Sequence, residues 1–141
     1  MPLPFLDSVK VLLVAALGER LSPGVDDYMD LFSDEGVLET PYVPPGAPSR
    51  WEGRAAIAAF LDTLHGMIRL ADVRLTASYP AADGATVVLE YEGTVHLERD
   101  GTQFRQRYIS VVQLAAGRIV LWREYTNPLA AKAATPTQAK P

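Results

Sequence analysis

The chain has 141 residues with 48% hydrophobic and 21% charged content, no cysteine, a formal net charge of −4 and a pI near 5.1. This is the composition of one globular domain able to bury a core without metals or disulfides. Disulfides, thiol catalysis and thiolate metal sites are excluded, and an acidic balance with scattered arginines argues against a nucleic-acid partner.

In chain order, Phe5, Val9, Leu12, Leu13, Ala16 and Leu17 recur at helical spacing and predict a first helix over residues 5–20. Its apolar run, Val9 to Leu17, is short and carries Lys10, so a core-facing helix is expected rather than a membrane partner. No leader stands out, and a cytoplasmic location is the default expectation. A short second helix, Val25 to Phe32, presents Tyr28, Leu31 and Phe32; Ser33 to Gly36 then reads as a turn. Val37 to Tyr42 is a strand with Leu38, Thr40 and Tyr42 on one face, and Pro41 suggests an edge or a bulge.

The proline-rich loop Val43 to Ser49 is expected to rim a cavity. A third helix follows, Arg54 to Met67, with Ile57, Phe60, Leu61, Leu64 and Ile68 as its buried stripe. Four strands complete the pattern: Val73–Tyr79, Thr86–Leu97, Phe104–Leu114 and Arg118–Tyr125. Asp83-Gly84, Asp100-Gly101 and Ala115-Ala116-Gly117 supply the hairpin turns. One domain over residues 1–127 is expected, with 128–141 as a disordered tail. The order predicts an α+β fold in which three N-terminal helices close a strongly curved, mixed or antiparallel sheet into a cone.

Strand alternation places Gln106, Tyr108, Ser110 and Val112 on one face, and Val120, Trp122, Glu124 and Thr126 on one face of the next strand. A carboxylate, two large aromatics, an amide and a hydroxyl would then converge on one concave surface. Glu124 is the main candidate: in an apolar cone desolvation would raise its pKa and poise it as a general acid or base. The competing reading turns Glu124 to solvent, paired with Arg123 or Arg107. Tyr108 and Tyr91 are candidate phenolic donors, although buried tyrosines commonly find structural partners. Trp122 reads as a wall, and Ser110 and Gln106 either orient a ligand or satisfy interior hydrogen bonds. His65 and His96 lack metal-ligand spacing, and His96, Glu90 and Glu92 are expected on the outer face. No nucleotide, phosphate or nucleophile motif is present, so no cofactor and no metal are expected.

The phrases Leu31-Phe-Ser-Asp-Glu-Gly-Val-Leu-Glu-Thr-Pro41, Trp51-Glu-Gly-Arg-Ala-Ala-Ile57 and Gly117-Arg-Ile-Val-Leu-Trp-Arg-Glu-Tyr125 resemble the SnoaL-like branch of the nuclear transport factor 2-like superfamily. The resemblance spans about residues 5–127 and implies a cystatin-like α+β barrel. It also implies a hydrophobic small-molecule partner and a homodimer formed through the outer face of the sheet. The positions that carry the tyrosine, base and second acid of ketosteroid isomerase fall at Leu13, Thr40 and Ser110. Against limonene-epoxide hydrolase, Trp122-Arg-Glu-Tyr125 matches and Glu124 would be the base. Tyr91 and Gly93 stand where that family has its supporting charges, and Leu38 and Thr40 replace its water-holding residues. The SnoaL-type cyclases use one acid on the last strand, compatible with Glu124, Gln106 and Tyr108. The resulting expectation is a cofactor-independent acid–base enzyme, with Glu124 and Tyr108 catalytic. Trp122, Gln106, Ser110, Tyr91, Thr40, Tyr42, Leu13 and Phe60 would bind the ligand. The alternative is a binding protein or accessory subunit without turnover.

Overall fold

The structure is a computed structural model that describes residues 4–133. Helix α1 (Asp7–Leu17) lies between two 3-10 turns, Pro4–Leu6 and Gly18–Arg20, and a third such turn, Tyr28–Leu31, leads into strand β1 (Phe32–Glu39). Then come β2 (Arg50–Glu52), α2 (Arg54–Leu64), β3 (Ile68–Pro80), β4 (Thr86–Leu97), β5 (Gln103–Ala115), β6 (Arg118–Thr126) and a four-residue α3 (Ala130–Ala133). The strands form one six-stranded sheet in the order β2-β1-β6-β5-β4-β3. β1 runs parallel to β6 and the other neighbours are antiparallel. This is the expected α+β fold with a mixed sheet, but the sheet does not close into a barrel: β2 and β3 remain its two edges. Among the described residues, no helix is long and apolar enough to cross a membrane.

Two α-helices precede the long meander where three were expected. The segment from Val25 forms only the single turn Tyr28–Leu31, because its polar groups are satisfied locally. Asp27 accepts from the Met29 N–H, and the Asp30 carboxylate accepts from the Asp26 and Asp27 N–H groups at 3.0 and 2.8 Å. Phe32 then starts β1, which continues through the expected turn Ser33–Gly36 as an irregularity in its pairing with β6. That irregularity brings two backbones close: a Cβ on Gly36 would stand 3.0 Å from the Ile119 carbonyl oxygen and 3.3 Å from the Phe32 ring. Thr40 and Tyr42 lie beyond the end of β1. Downstream, Ile68 belongs to β3 rather than to α2, since His65 is already extended and Gly66 has φ 89°.

Bulges decide which side chains point inward. On β3, Asp72 and Val73 together face Gly93, and Asp72 takes a φ of 54°. Leu70 and Val73, three apart, therefore line the same cavity. On β6, Gln113 pairs with Leu121 and Leu114 with Ile119, leaving Val120 as the unpaired extra residue. Ile119 rather than Val120 thus joins Trp122 in the core, at 0% and 1% exposure. The core fills the concave side of the sheet, with Leu13, Leu17, Leu31, Phe32, Ile57 and Leu89 buried beneath the helices. Residues 128–133, expected in a tail, form a turn and α3, and the rest of that stretch lies outside the described residues.

Candidate functional site

Between the concave face and the two helices lies a cavity of about 140 Å³. Phe5, Leu6 and Val9 come from the first helical segment, Phe60, Leu61 and Leu64 from α2, and Ile68, Leu70 and Val73 from β3. Leu38 and Thr40 approach from β1 and its exit, while Tyr28, Tyr91, Tyr108, Trp122 and Glu124 make the wall opposite α2's apolar stripe. Glu124 is the one charged residue among these liners.

Register explains how the polar wall assembles. Ser110 on β5 is the Cα partner of Glu124 on β6 and of Leu89 on β4, and Tyr91 pairs with Tyr108. The Tyr91 and Tyr108 rings stack with centroids 4.7 Å apart and planes 11° off parallel. Tyr91 Oη donates to Glu124 Oε2 at 2.9 Å and lies 3.2 Å from Ser110 Oγ. Trp122 Nε1 donates to the same Ser110 oxygen at 3.1 Å. Tyr28 packs its ring against Phe32 and Trp122, at 5.6 and 5.7 Å between centroids.

No polar side-chain atom among the described residues is both buried and unpartnered. The phenols of Tyr28 and Tyr108 and the second oxygen of Glu124 show no protein partner there, so these three groups open to the cavity they line.

Electrostatics follow from this geometry. Burial pushes the Glu124 carboxyl up to about 7, and the Tyr91 hydrogen bond pulls it partly back. Burial, reinforced by the charge of Glu124, raises Tyr28, Tyr91 and Tyr108 above the usual phenol range. All three stay protonated donors at neutral pH. On the outer face, Glu92 is gripped by Arg74 and Arg105, each at 2.9 Å, and those two guanidinium groups hold its carboxyl below the usual range.

Of the residues singled out from sequence, Glu124, Tyr108, Tyr91, Trp122, Thr40 and Phe60 share this cavity. Ser110 stands behind it, fully buried between Trp122 and Tyr91. Three further residues expected to bind the ligand lie outside the cavity lining. Leu13 is a core residue at 0% exposure and does not reach the cavity, because the inward face of α1 at that level packs into the main core. Tyr42 is outside, 58% exposed and edge-on to Tyr125, because β1 has ended before it. Gln106 is buried as a brace: its amide donates to the Asn127 carbonyl and accepts from the Asn127 N–H, at 3.1 and 3.0 Å. Tyr28, which helical spacing places on an apolar face, adds a phenol to the cavity that the periodicity does not reveal. The local signal was Asp27 three residues before Asp30, a capping pattern that shortens the helix and turns Tyr28 inward.

Residues 14–122 match the SnoaL-like domain family. The uncharacterized protein YesE of Bacillus subtilis is 37% identical over 114 residues, covering 81% of this chain and 78% of that protein. A crystal structure of a candidate isomerase from Bacillus subtilis superposes with a TM-score of 0.71 at 32% identity, covering 89% of this chain and 88% of the other. Delta 5-3-ketosteroid isomerase from Mycobacterium sp. superposes with a TM-score of 0.63 at 25% identity, over 92% of this chain and 95% of the other. The architecture is therefore the ketosteroid isomerase-like fold of the nuclear transport factor 2-like superfamily.

Proposed function

The chain belongs to the SnoaL-like domain family, and on that premise we propose that it is a cofactor-independent enzyme moving a proton on a small hydrophobic molecule. The observation that carries this reading is the solitary carboxyl of Glu124, held by Tyr91 at the wall of an otherwise apolar and phenolic cavity. A carboxyl poised near 7 is divided between base and acid at neutral pH, the condition under which proton transfer is most effective. Glu124 takes a proton from the substrate or activates a water, and returns the proton later in the cycle. Tyr108 and Tyr28 donate to the oxygen on which negative charge develops. Isomerisation, ring closure and hydrolysis all use this pair of roles, and the substrate is a carbonyl-bearing or cyclic compound. The cavity, about 140 Å³, is close to the ~150 Å³ that holds a benzene-sized guest. A single-ring substrate would therefore fill it.

The second reading is a binding protein without turnover. It is favoured by Thr40, Gly93 and Ser110, which supply no carboxyl group at positions where the resembled enzymes carry acidic residues. One experiment separates the two. Single-ring ketones, enones and epoxides are screened for binding by ligand-observed NMR, and each binder is then assayed for turnover with wild type and Glu124→Gln. Turnover that falls by about 100-fold or more in Glu124→Gln, with binding retained, supports the enzyme. Binding without turnover in either protein supports the second reading.

A homodimer through the outer face of β3, β4 and β5 is also proposed, supported by Ile109, 44% exposed, and by the charged cluster around Glu92. Light scattering that returned only the monomer mass would remove it. Cytoplasmic residence is proposed from the cysteine-free sequence, and cell fractionation tests it.

A further inference from the structure

Resting on Glu124 as the acid–base group, the geometry points to Trp122 and Ser110 as positioning residues that fix which carboxyl oxygen of Glu124 carries the proton. The chain of hydrogen bonds has a forced direction. An indole Nε1–H can only donate, so Ser110 Oγ accepts from Trp122 at 3.1 Å. Tyr91 has one proton, which it gives to Glu124 Oε2 at 2.9 Å. The Tyr91 oxygen, 3.2 Å from Ser110 Oγ, therefore accepts from the serine hydroxyl. Every donor thus points from Trp122 through Ser110 and Tyr91 to Oε2.

Reversing the order would leave the Ser110 hydroxyl proton without an acceptor at a residue with 0% exposure. Oε2 is consequently an acceptor in both protonation states, and the proton enters and leaves at Oε1, the oxygen that opens to the cavity. The same logic removes Tyr91 from the set of ligand donors, because its only proton is committed. Tyr28 and Tyr108 are left to meet a ligand oxygen. The titratable groups facing Glu124 are Tyr28 from the turn before β1, Tyr91 from β4 and Tyr108 from β5, and no charged side chain joins them among the cavity liners.

The test uses the two tryptophans of the chain, Trp51 and Trp122. In ¹⁵N-labelled protein titrated from pH 4.5 to 9, the Trp122 indole N–H resonance is expected to move with the same midpoint as the Glu124 carboxyl carbon. The Trp51 indole, stacked on Phe60 at 3.7 Å outside the chain of bonds, should stay fixed and serves as the control. Ser110→Ala and, separately, Tyr91→Phe should abolish the Trp122 shift while the Glu124 carbon still titrates; Ser110→Thr should restore it. A Trp122 indole that ignores Glu124, or one that still follows it in both Ser110→Ala and Tyr91→Phe, overturns the assignment. A Glu124 midpoint at an ordinary carboxylate value would instead count against the proposed acid–base function. Because the indole is compared with whatever midpoint Glu124 shows, the two failures are distinguishable.

Discussion

Tyr91 and Glu124 share a hydrogen bond of 2.9 Å although they stand 33 positions apart on strands that are not neighbours. β5 lies between them and contributes Tyr108 to the cavity wall and Ser110 behind it. The bond spans the cavity-facing side of the sheet, so it depends on the register of both pairings. It also settles the competing orientation for Glu124, whose carboxyl faces the cavity while Arg123 pairs with Glu39 at 2.7 Å.

That placement makes stability depend on pH in a defined direction. In the folded chain Glu124 keeps its proton up to about 7, against an ordinary value of 4.5 for the unfolded chain. Between those values the folded state binds more protons, so stability falls as pH rises through the window. The ionised carboxylate costs on the order of 3 kcal/mol above it. Glu124→Gln should therefore be more stable than wild type at pH 8 by up to about that amount, with the difference closing toward pH 4.5. Paired urea unfolding curves measure this, and equal stability at both pH values would contradict it.

Tyr91→Phe should act on the pH profile. Its phenol stabilises the charged form of Glu124, so removing it raises the carboxyl above about 7. The activity limb that requires ionised Glu124 is expected to move to higher pH, and an unmoved limb would assign that titration to another group.

Tyr108→Phe should act on rate. If its free phenol meets the developing oxyanion, kcat drops about 100-fold with little change in KM. Full activity in Tyr108→Phe would assign that contact to Tyr28 alone.

Gln106→Ala should leave ligand affinity unchanged and loosen the end of β6. Two hydrogen bonds to the Asn127 backbone are lost, at a cost of about 1–2 kcal/mol. Hydrogen exchange at the Asn127 amide is the sensitive readout. Protection equal to wild type would show that the brace is dispensable.

Gly36→Ala tests the close approach of β1 and β6. The added methyl meets the Ile119 carbonyl oxygen at 3.0 Å and the Ser33 carbonyl oxygen at 3.2 Å, both backbone atoms that yield little. A loss of about 1–3 kcal/mol is expected in denaturant unfolding, and a neutral result would show that the irregular segment can slip.

Sequence alone determined the long meander and its turns. β4 runs from Thr86 to Leu97 as expected, and Gly84 and Gly101 take the positive φ of 72° and 74° that the Asp-Gly turns require. Alternation also carried Glu124, Tyr108 and Trp122 to one surface, because all three lie on the stretch of β5 and β6 that pairs without a shift, beyond the Val120 bulge. Tertiary structure decided the rest. The bulges at Asp72–Val73 and Val120 shift inward phase by one residue, and a shift of that size is invisible to a period-two pattern. The early end of β1 before Tyr42 and the bracing role of Gln106 arise from contacts with residues distant in the sequence. So does the direction of the hydrogen bonds that converge on Glu124: it follows from which donor has only one acceptor within reach, and only the folded sheet brings those atoms together.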